Sequence, residues 1–491
     1  MGIIIKQSIR STIYAYIGAV IGFVNVSLLM PKLLSTEEIG LINFILPIVL
    51  ILSQFSSLGL GNLISRIFPY FRNEENHHNG FFTLGFFISL IGSLLSLVLF
   101  FSLKSYFVAG HQDTIEVENY IFYVLPLTII TLFLNYFDNF FRALFNVTIA
   151  MFLKEILMRL FITLSILFYF LEWINFDWFV LLYFLSYSLP TFILGFILLV
   201  KGEFVFQKPR LFIIRRLKKA MISISLFGMI TGFGTIAIMN IDKLMIKSFV
   251  GLSGVGIYSI TFYFAAMILL PARSIQKIAA IILSESWKSN DIENIRTIYY
   301  KTTITQLIIG FYIFLGLWIN IDNIIAIIGP DFESGRYVIF FIGLANIVTM
   351  LSGVSSAIIA TSKKYIYSSV FMLVMLVLIV ITNLIFIPLY GIVGAALASF
   401  ISMFITALLR FIYIWKSFKL QPYNFKHLII VLIVVLTYFG AIVIPTLANP
   451  YLDVISKGIF ITILFGAMIY FTKVSEDIND KANQVLAKLF K

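Results

Sequence analysis

Residues Tyr365 to Ile387 read YIYSSVFMLVMLVLIVITNLIFI, an unbroken run with no charged side chain. A helix needs about 20 apolar residues to cross the hydrocarbon of a bilayer. Inside lipid the backbone is satisfied only in a helix or a closed barrel, and a continuous apolar run, rather than an alternating one, selects the helix. Working outward, Phe81 to Leu103, Trp178 to Val200, Ala220 to Ile241 and Tyr337 to Ala360 are likewise free of charge. Further spans are read at Thr12 to Met30, Leu41 to Ser65, Asn119 to Phe137, Glu155 to Trp173, Val255 to Ala272, Thr302 to Ile319, Gly391 to Leu409, Leu428 to Asn449 and Val454 to Thr472. The fold expected is all-α and polytopic, with about fourteen transmembrane helices.

Composition agrees. The 491 residues are 60% hydrophobic and 12% charged, and soluble domains carry about twice that charge. The absence of cysteine excludes disulfides, thiolate metal sites and a cysteine nucleophile. Thr12 to Met30 runs into Pro31-Lys32-Leu33-Leu34 rather than a small-residue cleavage site, so it reads as a retained span. The net charge of +12 is scattered between apolar segments, which argues against nucleic acid and for membrane topology. With the spans above, 29 of the 35 basic residues fall on the side that holds both termini and 6 on the other. Basic residues concentrate in cytoplasmic loops, so both termini are expected in the cytoplasm.

The outer loops are too short to fold as a catalytic domain. The long inner loops, Lys201 to Lys219 and Arg273 to Lys301, are expected along the headgroups. From Ser475 the tail places Ile478 and Ala482 on one helical face, with Lys481 available to anionic lipid. His77, His78, His111 and His427 read as loop residues, and no metal site, nucleotide-binding loop or nucleophile-base pair is found.

A short internal repeat follows the first and seventh spans. Met30-Pro31-Lys32 leads into Ile39-Gly40-Leu41, and Met245-Ile246-Lys247 leads into Val255-Gly256-Ile257. The helices before these hinges share glycines four apart, Gly18 with Gly22 and Gly228 with Gly232, a spacing that permits close helix packing. The repeat implies two six-helix lobes: residues 1–219 with a basic linker, and 220–427. Two further spans occupy 428–474, and 475–491 forms an amphipathic cytoplasmic tail.

The segments Pro31-Lys32-Leu33-Leu34-Ser35-Thr36-Glu37-Glu38-Ile39-Gly40-Leu41 and Leu58-Gly59-Leu60-Gly61-Asn62-Leu63-Ile64-Ser65-Arg66 resemble the first two spans of Wzx-type polysaccharide flippases, of the multidrug/oligosaccharidyl-lipid/polysaccharide (MOP) exporter superfamily. Ile241-Asp242-Lys243-Leu244-Met245-Ile246 with Gly254-Val255-Gly256-Ile257-Tyr258, and Ile387-Pro388-Leu389-Tyr390-Gly391-Ile392-Val393-Gly394-Ala395-Ala396-Leu397-Ala398, resemble that family's later turns. The resemblance implies a bacterial cytoplasmic-membrane transporter, not an enzyme. Its substrate would be a polyprenyl-pyrophosphate-linked oligosaccharide, moved outward by alternating access for O-antigen, capsule or exopolysaccharide. No cofactor is implied, and transport could be coupled to a Na⁺ or H⁺ gradient or to the membrane potential. Partners would be membrane lipids and other polysaccharide-assembly proteins.

A pyrophosphate with several sugars needs a wet, cationic cavity, because hydrocarbon satisfies none of its polar groups. Arg66 ends the second span and Arg273 the eighth, and each position suits either a headgroup contact or a snorkelling anchor. Arg142 and Arg159 follow Asp138 and Glu155 by four residues, a spacing that also permits a helical ion pair. On the outer side Lys32, Lys243 and Lys247 sit at the matched hinges, where they could meet the arriving phosphate; Asp242 beside them could hold a coupling cation. The competing readings are a cation-coupled multidrug exporter of the same superfamily, which should carry carboxylates deep in its first helices; a lipid II flippase; a membrane-embedded glycosyltransferase, polymerase or ligase; and a scaffold for glycan enzymes.

Overall fold

The computed structural model describes residues 2–108 and 114–489, so His111 lies outside the described residues. Contacts divide the chain into two compact units, Met1–Gly256 and Ile257–Lys491, so the first takes in the helix that follows residue 219 as well.

The first unit begins with α1 (Gly2–Phe23), which passes through a π-turn at Val24–Leu29 into α2 (Met30–Leu33). There follow α3 (Thr36–Ser56), α4 (Leu60–Phe71), α5 (Phe81–Val108), α6 (Thr114–Tyr120), α7 (Val124–Ala143), α8 (Val147–Phe152), α9 (Met158–Phe170), α10 (Phe176–Val200) and α11 (Leu211–Phe249). The unit ends within α12 (Leu252–Ala266). Ser35 starts α3 with a capping box, its hydroxyl accepting from Glu38 N while Ser35 N donates to the Glu38 carboxylate at 2.8 Å. The core is aromatic: Phe68 and Phe71 of α4 meet Phe81 and Phe82 of α5 and Tyr136, Phe140 and Phe141 of α7. Lipid gives no hydrophobic drive between helices, so interlocking rings and close backbone approaches hold this core. Tyr136 buries its hydroxyl by donating to Phe82 O at 2.7 Å.

The second unit continues with α13 (Leu270–Lys288), α14 (Ile292–Ile319), α15 (Ile321–Ile328), α16 (Arg336–Leu351), α17 (Ser355–Thr361), α18 (Ile366–Phe418), α19 (Phe425–Ile442), α20 (Pro450–Thr472) and α21 (Glu476–Leu489). Its main core joins Leu307 and Ile308 of α14, Met350 of α16, Ile430 and Ile433 of α19, and Ile461 and Phe465 of α20.

Among the described residues twelve helices are long and apolar enough to cross a membrane. One of them, α18, is 53 residues long and departs from helical geometry at Gly391 (φ 57°, ψ −134°). Its arms fold back on each other: Thr382 Oγ1 lies 2.9 Å from Ser402 Oγ, Thr406 donates to Met375 Sδ at 3.3 Å, and the Phe371 and Tyr413 rings are 5.5 Å apart. The helix is therefore two spans. The segment α8–α9, interrupted by a π-turn at Leu153–Leu157 that carries Lys154 and Glu155, supplies the remaining one. Each of the fourteen expected spans thus has a helical segment, and the chain is a multi-pass membrane protein.

Three expectations need correction. The stretches expected as inner loops are largely helix: Leu211 to Lys219 opens α11, Arg273 to Lys288 belongs to α13, and Ile292 to Lys301 opens α14, with Ile295 and Tyr299 buried in a core. Helical propensity does not end where hydrocarbon does, and the Leu, Arg, Lys, Gln, Glu and Ala positions of these stretches favour the helix. The second span breaks in its middle, between α3 and α4. His427 lies in the first turn of α19, where its Nδ1 is 3.2 Å from Asn424 N and completes the cap; His78 is also buried, beside the Phe68 ring and 3.3 Å from the Glu203 carboxylate.

Candidate functional site

The break in the second span creates the site. Leu58 (φ 51°) and Gly59 (φ 70°) both lie in the left-handed region, ending α3 and re-aiming the chain into α4. Ser57 Oγ donates to Gln54 O at 2.7 Å, satisfying a carbonyl that the break frees. Gly59 is also where α11 crosses: a Cβ placed there would lie 2.1 Å from Ser225 O.

α4 is two-faced. Leu60, Leu63, Ile64, Ile67, Phe68 and Phe71 enter the aromatic core, while Asn62, Ser65 and Arg66 form the exposed opposite face. A polar face on a membrane helix needs water or polar partners beside it. A cavity of about 250 Å³ lies there, lined by Gln54, Gly59, Gly61, Asn62, Gly228, Thr231, Gly232 and Thr235. Its wall on α11 is kept bare by glycine: a Cβ at Gly228 would sit 2.6 Å from Asn62 Nδ2, and one at Gly232 2.2 Å from Gln54 Nε2. None of the eight lining residues is charged. Arg66 stands one helical turn beyond Asn62 on the same face, exposed, and has no ion pair or side-chain hydrogen bond among the described residues.

The other candidates divide. In the second unit Arg273 is exposed on α13, likewise without an ion pair among the described residues. Arg142 and Arg159 are engaged. Arg142 makes a two-pronged contact to Asp138, both bonds at 3.1 Å, and Lys154 reaches the same carboxylate at 3.0 Å. Arg159 pairs with Glu155 at 2.9 Å and donates to Gly18 O. The paired glycines of α1 make room for this: a Cβ at Gly22 would lie 2.0 Å from Arg159 Nη1 and one at Gly18 2.4 Å from Glu155 O. On the opposite side Lys243 donates to Asn43 Oδ1 at 3.2 Å. Lys247, only 1% exposed, caps the C-terminus of α5, donating to Phe107 O at 3.3 Å and Val108 O at 3.0 Å. Asp242 is buried on the same helix, and Lys32 is exposed on α2.

Close by, the two matched hinges touch. A Cβ on Gly40 would lie 1.9 Å from Leu252 O, and one on Gly256 2.0 Å from Thr36 O; Thr36 Oγ1 and Ser253 Oγ are 2.8 Å apart.

Residues 4–281, more than half of the chain, match the family described as polysaccharide biosynthesis protein. The chain belongs to the polysaccharide biosynthesis protein family. Among curated proteins no significant match to this polysaccharide biosynthesis protein is found. Among solved structures it is similar to the lipid II flippase MurJ in an inward closed conformation, with a TM-score of 0.74 at 16% identity over 95% of this chain and 100% of that one. It is also similar to an inward-facing multidrug resistance MATE family transporter of the MOP superfamily, with a TM-score of 0.63 at 14% identity over 83% and 97% of the two chains. The MATE multidrug transporter DinF-BH gives 0.56 at 16% identity over 86% and 97%. At such identities the likeness is one of fold, and this polysaccharide biosynthesis protein has the fold of MOP-superfamily transporters.

Reading charges alone singles out Arg66 as a candidate but passes over Gln54 and Asn62. Uncharged amides within apolar runs give little sequence signal, although Leu58-Gly59-Leu60-Gly61 marks the break that exposes them.

Proposed function

We propose that this protein is a flippase that carries polyprenyl-pyrophosphate-linked oligosaccharides from the cytoplasmic to the outer leaflet of a bacterial cytoplasmic membrane, by alternating access, for surface polysaccharide assembly. The observation that carries this reading is the cavity beside α4, whose walls offer amides, hydroxyls and bare backbone, with Arg66, which has no ion pair among the described residues, one turn beyond Asn62 on the same face of α4. Such a site suits an anion that carries sugars; the prenyl chain can remain in lipid. Arg66 would supply a charge-assisted contact to phosphate, with the fork geometry that allows two bonds at once.

A cation-coupled drug exporter is less well supported. It needs a free carboxylate in the first helices, whereas no carboxylate lines the cavity, and Asp138 and Glu155 are both ion-paired.

The test is transbilayer movement of a labelled polyprenyl-pyrophosphate oligosaccharide in proteoliposomes, scored by access of an external glycan hydrolase against protein-free vesicles. Protein-dependent exposure that falls in Arg66→Ala and Arg273→Ala supports the reading. No exposure with any glycan supplied overturns it and returns the exporter and scaffold readings.

A further inference from the structure

The cavity holds two side chains whose chemistry the phosphate contact does not use. The carboxamides of Gln54 and Asn62 line it, on either side of the Leu58-Gly59 break, and neither makes a side-chain hydrogen bond among the described residues. Each amide offers two N–H donors and an accepting oxygen. Thr231 Oγ1 spends its proton on its own helix, donating to Phe227 O at 2.9 Å, so that hydroxyl faces the cavity as an acceptor. The glycines let the amides lie flat on the α11 backbone, so the opening between helices stays clear. Gln54 is half-buried and Asn62 exposed, so the unused donors and acceptors of both amides are open to a polar occupant of the cavity.

We infer that Gln54 and Asn62, with Thr231 opposite them, form a subsite that reads a neutral, hydroxyl-rich sugar ring. Adjacent sugar hydroxyls each present one donor and one acceptor, the pattern that a planar carboxamide matches with two bonds. The absence of charge among the lining residues fits a neutral ring rather than a drug cation or a second phosphate. The cavity volume, about 250 Å³, suits a single ring rather than a whole repeat unit, so the subsite samples one sugar of a longer glycan. Arg66, one turn away on α4, places the phosphate contact next to that ring. This assignment rests on the flippase reading above and names the part of the glycan chemistry that the protein inspects.

The test uses the full-length protein in detergent and a fluorescent neutral oligosaccharide, released by mild acid from the lipid-linked repeat unit of the source cells. Anisotropy titration should show saturable binding by the unaltered protein, weakened about tenfold or more in Gln54→Met/Asn62→Leu, where shape is kept and hydrogen bonding removed. If the double variant does not elute as a monodisperse species, Gln54→Asn and Asn62→Gln, which keep the amide but move it, should each weaken binding severalfold. Equal binding by unaltered and altered proteins, or none by the unaltered protein, overturns the subsite. The transport assay runs beside it: flipping without glycan binding removes the subsite alone, and glycan binding without flipping removes the flippase reading and keeps the subsite.

Discussion

Gly40 and Gly256 lie against each other's helix in a reciprocal fashion: the carbonyl four residues before each glycine, Thr36 O and Leu252 O, covers the bare Cα of the other. A side chain at either position would meet backbone, which cannot step aside. The contact is sealed on one side by the Thr36 and Ser253 hydroxyls, 2.8 Å apart. If transport is by alternating access of the lobes expected from the sequence, residues 1–219 and 220–427, this crossing is a place where their helices would part and rejoin.

The first prediction uses the natural lack of cysteine. Thr36→Cys/Ser253→Cys places two thiols where two hydroxyls now touch, within the reach of a disulfide. Oxidation should give a cross-linked product and slow flipping about tenfold or more, with recovery in dithiothreitol. Full-rate transport by the cross-linked protein would mean that these helices stay together throughout the cycle.

The second concerns Gly22. Alanine in a helix is favoured over glycine by about 1 kcal/mol, but here the added methyl would collide with the Arg159 guanidinium. Gly22→Ala should therefore lower the melting temperature in detergent, whereas Gly202→Ala, with open space around it but a φ of 70°, should lose only its turn preference. A rise for Gly22→Ala would show that Arg159 moves aside at little cost.

The arginines should separate by experiment. On the proposed reading, Arg66→Ala would remove a charge-assisted contact of about 1.5–3 kcal/mol, so KM for a lipid-linked oligosaccharide should rise roughly tenfold to a hundredfold with little change in melting temperature. Arg142→Gln/Lys154→Gln instead leaves Asp138, 5% exposed, without a counter-charge. Stranding a buried charge costs about 3–5 kcal/mol, and the outcome should be poor yield or early melting. A stable variant with altered KM would move Arg142 into the substrate site.

Lys247 provides a fourth test. Its ammonium satisfies two carbonyls at the end of α5, so Lys247→Met should lower the melting temperature by several degrees. Lys243→Gln replaces a bond to the Asn43 amide with one that glutamine can partly restore, and should melt closer to the unaltered protein. If both variants instead keep their stability and transport slowly, the phosphate contact expected at these hinges from the sequence gains support.

A fifth follows from charge. A pyrophosphate diester carries about two negative charges, and moving each through 100 mV is worth about 2.3 kcal/mol. A valinomycin potential, negative on the side supplying substrate, should raise both the rate and the extent of flipping. An unchanged extent would indicate that cations travel with the headgroup.

The spans are legible in the sequence because lipid imposes one rule on all of them, and the ion pairs Asp138–Arg142 and Glu155–Arg159 because i,i+4 spacing is local. The hinge repeat marks Gly40 and Gly256, though not that they touch. Lys247 reads as a hinge charge that could meet the arriving phosphate and not as the cap of α5, because its carbonyl partners lie about 140 residues away and no local pattern announces them. His427 resembles a loop residue because the apolar run that marks the span begins only at Leu428, whereas the Asn424 cap starts α19 one turn earlier. Gln54 and Asn62 are hidden for a different reason, since their meaning depends on a backbone turn at Leu58 and on glycines in a distant helix.

The hairpin of α18 bears on how the protein is made. From Tyr365 to Leu409 there is no charged residue at all, and the turn at Gly391 lies near the middle. During insertion no charge has to be drawn through the bilayer, so the two arms can partition together as a preassembled pair, already stitched by Thr382 and Ser402. Lys363 and Lys364 before it, and Arg410 and Lys416 after it, put positive charge at both feet of the hairpin, which favours leaving both on one side. A single acidic residue placed in Pro388–Tyr390 would test biogenesis rather than transport, because it would burden the one hairpin that the chain otherwise threads without a charge.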